Sequence, residues 1–156
     1  ADIVQAYYLH RLADARARLP WGTLRRFRLP IGRGAGRVTG ETLADTCLEL
    51  PRVDTRRQRT AGIGPVYGVS VQRTAAEGFY NQIARVDPAT GHTQVWHAPG
   101  CHPGEPVFVP EPGAADADDG VVLSVVLDAG AGTSFLLVLE ARTFAERARA
   151  VLPHPV

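Results

Sequence analysis

Two glutamates, Glu49 and Glu105, stand in surroundings that are unusual for an acidic residue. Glu105 belongs to the segment PGEPVFVP at 103–110, and on a strand it would share a face with two valines, because alternate residues point the same way. Glu49 lies between two leucines. A carboxylate among apolar residues is unfavourable unless it is paired or hydrogen-bonded. One chemical use is to accept the proton of the remote ring nitrogen of a metal-binding histidine, which fixes the tautomer of that ring.

Each glutamate also has a simpler interpretation. For Glu105 this is an edge glutamate at the exposed start of a strand, which the residues alone favour. Glu49 is equally consistent with a partner of Arg52 or of another surface arginine. The residues alone leave both alternatives open.

A second candidate is a zinc site formed by His97, Cys101 and His102, whose H-x3-C-H spacing offers three ligands. A closed zinc site needs a fourth ligand, and Cys47 is the only other cysteine. Histidines in loops and at strand ends explain the pattern more simply. The remaining histidines are isolated and are predicted to lie at the surface: His10, His92 and His154.

Composition narrows the classes of function. The chain has 156 residues, of which 45% are hydrophobic, so it can bury the core of one ordinary domain. Its formal net charge of +1 makes no electrostatic case for nucleic acid as a partner. Two cysteines and no leader-like segment at the start predict a reducing, cytoplasmic location. The sequence lacks a phosphate-binding glycine loop, a nucleophile elbow and a dinucleotide-binding motif.

The elements that would position these residues are mostly strands. Residues 2–18 predict a short N-terminal helix that Pro20 would end. Residues 21–29 and 37–43 alternate as strands do and flank a glycine-rich turn, so they predict a hairpin.

The middle of the chain predicts a second hairpin. Residues 82–87 and 93–97 flank a turn in which Pro88 fixes one dihedral angle and Gly91 accepts a positive φ. Residues 47–53 form another short strand candidate, and residues 54–74 predict a loop or an irregular strand.

Three further strands are predicted over 105–110, 121–127 and 135–140. Both parities of 121–127 are apolar, so both faces of that strand are expected to be covered. Strands at this spacing favour a sandwich, a barrel or propeller blades. The tail, 142–150, remains ambiguous between helix and strand.

Five sequence blocks together resemble the C-terminal third of the carotenoid cleavage oxygenase family. The similarity runs over nearly the whole chain and is weakest in the first twenty residues and from 56 to 78. The blocks are ELPRVD at 49–54, GFYNQ at 78–82, VWH at 95–97, PGCHPGEPVFVP at 99–110 and DDGVVLSVV at 118–126. The resemblance implies an all-β fold, namely the C-terminal blades of a seven-bladed β-propeller.

The resemblance also implies a reaction. Members of the family hold Fe(II) on four histidines, three of them backed by glutamates. They use O2 to split a conjugated double bond, usually in a carotenoid or apocarotenoid, to give two aldehydes. Matched motif to motif, Glu49 and Glu105 fall on two of the three glutamates. The implied partners are an apolar polyene and O2, and peripheral membrane contact of the whole protein is compatible with the family.

The same resemblance places all four iron histidines outside this chain. Three belong to earlier blades, and the fourth belongs to an F-H-G block just beyond the point matched by the chain's end, so His154 is not promoted to a ligand. Residues 1–156 are therefore expected to be a partial propeller domain of about two to three blades, at about 40 to 50 residues a blade. The competing hypothesis is a catalytically inactive β-rich interaction module or relic that lacks iron.

Overall fold

The computed structural model describes residues 22–32, 36–56, 64–72 and 79–156, and all of its regular elements are strands. The predicted N-terminal helix over 2–18 lies outside these residues. In the described residues no helix is long and apolar enough to cross a membrane. The strands are β1 (Thr23–Arg28), β2 (Thr39–Cys47), β3 (Glu49–Arg52), β4 (Val66–Ser70), β5 (Gln82–Val86), β6 (Thr93–His97), β7 (Cys101–Pro103), β8 (Val107–Pro110), β9 (Gly120–Asp128), β10 (Thr133–Glu140) and β11 (Glu146–Val151).

These strands form three antiparallel sheets. A two-stranded sheet pairs β1 with β2, and a four-stranded sheet has the order β3-β4-β5-β6. A five-stranded sheet has the order β11-β10-β9-β7, and β8 also pairs with β9. In the first two sheets each strand pairs with its neighbour in the sequence, whereas in the five-stranded sheet β9 pairs with β7 and β8 as well as with β10.

The four-stranded sheet is the middle layer of the described structure. One of its faces packs on the two-stranded sheet through Val66, Ala84 and Val86, against which Leu24 and Ala44 lie. Its other face packs on the five-stranded sheet through a larger apolar cluster. That cluster consists of Tyr67, Ile83, Trp96, Cys101, Val122, Val126, Phe135, Leu137, Leu139, Ala141 and Phe144. The core therefore fastens the five-stranded sheet, which carries the loop of Glu105, to the sheet that carries Glu49.

Both predicted hairpins are present. Gly40 pairs with Phe27 in the first hairpin, and Ala84 pairs with Val95 in the second. Gly91 has a φ of 74°, as its place in the second turn predicts, and an added Cβ there would meet the carbonyl of Leu43 at 2.6 Å. The turn residues thus fix the register of the second hairpin.

Two stretches differ from the sequence expectation. The prediction of a loop or irregular strand over 54–74 is wrong at β4, whose five residues are all buried in the middle sheet. The tail, 142–150, for which the sequence leaves helix and strand open, contains most of the exposed edge strand β11, which pairs with β10.

The expectation that both faces of 121–127 are covered is also wrong for the described chain. Val122, Ser124 and Val126 are buried, but Val125 on the opposite face is 39% exposed. The same face continues onto β8, where Val107 pairs with Leu123. This surface, called here the open face, consists of Val107, Val109, Val121, Leu123 and Val125. No sheet of the described residues packs on the open face. The sheet that lies between two others is instead the four-stranded one.

Candidate functional site

Glu49 is positioned by the start of β3 and by the chain segment that precedes β1. The backbone N–H of Gly22 donates a hydrogen bond of 3.0 Å to Oε1 of Glu49. The carbonyl of Gly22 in turn accepts a hydrogen bond of 2.9 Å from the N–H of Leu48. Glu49 is therefore only partly exposed, and one of its carboxylate oxygens is held by the backbone.

A β-bulge lies directly after Glu49. Glu49 pairs with Val69 and Arg52 pairs with Tyr67, so two residues of β3 stand opposite the single residue between those partners. One of the two, Leu50, has a φ of 50°, a conformation that non-glycine residues rarely adopt. Because the bulge adds one residue, Arg52 returns to the side of β3 on which Glu49 lies.

Glu105 lies in the connection between β7 and β8, just before β8 begins. Its neighbours are fixed: the N–H of Gly104 donates to the carbonyl of Val125 at 2.8 Å, and the hydroxyl of Ser124 donates to the carbonyl of Gly104 at 2.9 Å. Pro106 is fully buried. The backbone on both sides thus sets the position of Glu105.

The side chain of Glu105 is 38% exposed, which agrees with an edge glutamate at the exposed start of a strand and not with a carboxylate buried among valines. Glu105 pairs with Arg52, whose Nε lies 2.6 Å from Oε1 of Glu105. The sequence had suggested Glu49 as a partner for Arg52, whereas the bulge directs this arginine to Glu105 instead. Contact with the carboxylate raises the pKa of Arg52, first through the hydrogen bond and then through charge attraction.

The two glutamates share one arrangement. In each, Oε1 is held by an N–H group of this chain, from Gly22 or from Arg52. Across the described ranges, Oε2 of each glutamate has no hydrogen-bond partner. Each carboxylate is thus oriented and still able to accept another proton donor. Arg52 links the strand of Glu49 to the loop of Glu105, so the structure brings both candidates into one connected region.

The zinc interpretation of His97, Cys101 and His102 is wrong for the described residues, because their ligand atoms do not gather. Nδ1 of His97 lies 2.9 Å from the carbonyl oxygen of Asn81, and Nδ1 of His102 lies 3.2 Å from that of Tyr80. Cys101 is buried in the apolar core, and burial raises the pKa of its thiol.

A cluster of aspartates, Asp116, Asp118 and Asp119, was not singled out as a site by the sequence. Their carboxylates lie within 4.8 Å of one another. Nη2 of Arg142 lies 2.9 Å from Asp116 and 3.4 Å from Asp118, and it also pairs with Asp119. The buried Arg85 adds a contact of 3.3 Å to Asp118. Arginines thus neutralise this cluster, which fastens the loop before β9 to the turn after β10.

The aromatic residues near the site serve packing. Tyr67 stacks on Phe108 with 5.6 Å between ring centroids, and it stacks on Phe144 at 6.4 Å. Burial raises the pKa of Tyr67 to about 12, although the nearby Arg85 acts in the opposite direction. Phe79 is 54% exposed and meets His102 edge to face.

Comparison with known proteins identifies the family. The sequence profile of the retinal pigment epithelial membrane protein family matches residues 2–156. The chain is 34% identical over 168 residues to a carotenoid isomerooxygenase of Galleria mellonella, covering 100% of this chain and 32% of that protein. It is 35% identical over 161 residues to carotenoid cleavage dioxygenase 8 homolog B of Oryza sativa subsp. japonica, covering 97% of this chain and 27% of that protein.

Comparison with solved structures identifies the same family. Cobalt-substituted Synechocystis apocarotenoid oxygenase (ACO) matches with a TM-score of 0.74 and 27% identity, over 89% of this chain and 29% of that one. A chimera named ACO/RPE65 matches with a TM-score of 0.77 and 28% identity, over 88% and 29%. The chain thus spans about a third of the length of the proteins that it matches. Its all-β sheets are blades of a β-propeller, and the chain belongs to the retinal pigment epithelial membrane protein family, the family of the carotenoid cleavage oxygenases.

Proposed function

We propose that this chain is the segment of an Fe(II)-dependent carotenoid cleavage dioxygenase that orients two of the iron-binding histidines. The observation that carries the proposal is the shared arrangement of Glu49 and Glu105, in which one oxygen is held and the other is available. An available carboxylate oxygen suits the Nδ1–H of an imidazole whose other nitrogen faces a metal.

The described residues fit this supporting role and do not fit a role as iron ligands. Iron in such sites prefers imidazole nitrogen. In His97 and in His102, Nδ1 lies within hydrogen-bond distance of a backbone carbonyl oxygen. Within the described ranges, neither histidine belongs to a group of three potential metal ligands. The carboxylates of Glu49 and Glu105 instead resemble acceptors that hold a histidine from another part of the protein.

When bound, Fe(II) would supply the activation of O2 that splits a conjugated double bond into two aldehydes. The residues of this chain contribute orientation. Each carboxylate would keep one imidazole in the tautomer that leaves its other nitrogen free for the metal, and the negative charge would raise the basicity of that nitrogen. The substrate class proposed is an apolar polyene, a carotenoid or apocarotenoid, by likeness to the named relatives.

The test uses the complete reading frame that contains this segment, called here the complete protein. Loaded anaerobically with Fe(II), it should retain iron and convert an apocarotenal and O2 to two aldehydes. Glu49→Gln and Glu105→Gln should each weaken iron binding by about 10- to 100-fold, because a neutral amide orients the imidazole less well. Iron content by mass spectrometry and aldehyde yield by chromatography measure both effects.

Glu111→Gln is the matched control, because Glu111 is an exposed glutamate a few residues from Glu105. Glu111→Gln should have the same iron content and aldehyde yield as the unaltered protein. Iron content and aldehyde yield that stay unchanged in both Glu49→Gln and Glu105→Gln would refute the proposal.

One observation supports the competing function, a non-catalytic interaction module. The open face presents exposed valines at Val107, Val109 and Val125, and an exposed apolar patch is a common feature of protein contacts. A complete protein that binds no iron under the conditions above would favour this second function.

A further inference from the structure

We infer that Gly22 and Arg52 are positioning residues for the two glutamates: Gly22 holds the carboxylate of Glu49, and Arg52 holds the carboxylate of Glu105. This inference rests on the proposed function, since it assigns the groups that orient the carboxylates which in turn orient the histidines. Neither Gly22 nor Arg52 would touch the metal or the substrate.

The case for Gly22 is steric as well as polar. Its N–H donates to Oε1 of Glu49 at 3.0 Å, and a Cβ added to Gly22 would lie 2.6 Å from the same oxygen. A second hydrogen bond, from the N–H of Leu48 to the carbonyl of Gly22 at 2.9 Å, ties the same backbone to the residue before Glu49. Any side chain at position 22 would therefore push the carboxylate of Glu49 out of its place.

The case for Arg52 rests on the bulge. Leu50 adopts a positive φ of 50°, which is unfavourable for a non-glycine residue and persists only where the surroundings enforce it. The result is that Arg52 reaches across to the neighbouring sheet and places Nε 2.6 Å from Oε1 of Glu105. Without the extra residue, Arg52 would point to the opposite side of β3.

The consequence for both carboxylates is the same. A carboxylate held at one oxygen cannot rotate freely, so its second oxygen faces a fixed direction. Loss of the holding group would let the carboxylate turn toward solvent, and the imidazole that it supports would lose its preferred orientation.

The experiment measures Co(II) binding to the complete protein, because cobalt has been placed in the related Synechocystis oxygenase. The affinity for Co(II) and the visible absorption band of the bound ion are both recorded. Gly22→Ala should weaken binding by about 10-fold and shift the band, since it displaces the carboxylate itself. Arg52→Met should weaken binding by about two- to fivefold, the range expected for loss of an exposed ion pair.

Matched controls separate positioning from general damage. Arg56→Met removes an equally exposed arginine whose Nη2 lies 2.9 Å from Asp54, and it should leave affinity and band unchanged. Gly36→Ala is the control for Gly22→Ala, because a Cβ at Gly36 meets nothing within 4 Å. Arg52→Lys keeps a charged donor, so it should bind Co(II) more tightly than Arg52→Met does.

The double substitutions decide the inference. Arg52→Met should have no further effect on Co(II) affinity once Glu105 is replaced by Gln, and Gly22→Ala should have none once Glu49 is replaced by Ala. Equal effects of Arg52→Met with and without Glu105 would overturn the inference. If Gly22→Ala does not fold, the Arg52 and Glu105 cycle decides alone.

Failure of the inference and failure of the proposed function give different results. If Glu49→Gln and Glu105→Gln weaken Co(II) binding but Gly22→Ala and Arg52→Met do not, the inference alone is wrong. If the unaltered protein binds no Co(II), both are wrong.

Discussion

At the scale of single residues, the candidate site depends on contacts that are distant in sequence. Glu49 is held by Gly22, and Glu105 is held by Arg52. The sequence blocks identify both glutamates as candidates, but they give no sign of these holding groups. Hydrogen bonds and ion pairs between remote segments arise only when the sheets pack, so local patterns do not reveal them.

The buried phenol of Tyr67 gives a prediction for alkaline pH. The unfolded phenol loses its proton near its ordinary pKa of 10.0, whereas the folded one holds it to about 12. The folded state therefore binds the proton more tightly, and its stabilising contribution is complete below pH 10 and lost as the pH rises through 12. The free energy of unfolding of the complete protein should fall by up to roughly 1.4 kcal/mol per pH unit in this window.

Urea denaturation of the complete protein at several pH values measures this effect. Tyr67→Phe should flatten the slope, and it should not destabilise the protein at neutral pH, since the hydroxyl of Tyr67 has no hydrogen-bond partner among the described residues. Tyr80→Phe is the control, because Tyr80 is more accessible than Tyr67. It should leave the slope of the free energy of unfolding against pH unchanged. An unchanged slope in Tyr67→Phe would contradict the assignment.

At the scale of elements, strong turn signals made the second hairpin predictable, and the buried strand β4 was missed. The hairpin of β5 and β6 has a proline and a glycine at the positions that its turn requires. β4 (Val66–Ser70) is buried at every residue, so it lacks the alternation that indicates a strand, and Gly68 interrupts its short apolar run. The edge strand β11 is exposed throughout and carries charged residues, so its pattern resembled a helix as much as a strand.

Gly68 gives a prediction about how β3 and β4 fit together. An added Cβ at Gly68 would lie 2.6 Å from the carbonyl oxygen of Glu49 and 2.8 Å from Cδ1 of Leu48. Gly68→Ala should therefore destabilise the complete protein by about 1 to 3 kcal/mol, because the bulge opposite it has no room for a methyl group. Urea denaturation measures the change, with Gly36→Ala as the unaffected control. Equal stability of Gly68→Ala and the unaltered protein would show that β3 is not packed as described.

At the scale of the whole molecule, the described blades leave apolar surface uncovered. The open face presents Val107 at 52% exposure, together with Val109 and Val125. In a closed propeller each blade packs on its neighbours, and closure of the ring protects the sheet edges. The resemblance predicted the fold class, and the structural likeness to Synechocystis oxygenases confirms it.

The open face predicts the behaviour of the isolated 156-residue chain. It should self-associate at micromolar concentration, because burial of the exposed valines is favourable. Replacing Val107 and Val125 together by Thr should lower the apparent mass measured by light scattering after size-exclusion chromatography. Val156→Thr alters a valine that is 75% exposed outside the open face, and it should leave the mass unchanged. A monomeric, cooperatively unfolding unaltered chain would contradict the prediction.

The central claim, that Glu49 and Glu105 orient iron-binding histidines, is tested most directly by a crystal structure of the iron-loaded complete protein. The quantity to measure is the distance from the free carboxylate oxygen of each glutamate to the nearest histidine Nδ1. The account predicts about 2.7 to 3.2 Å at both glutamates, with the other nitrogen of each imidazole facing the metal. Carboxylates that face solvent, or that contact only Gly22 and Arg52 while iron is bound, would contradict it.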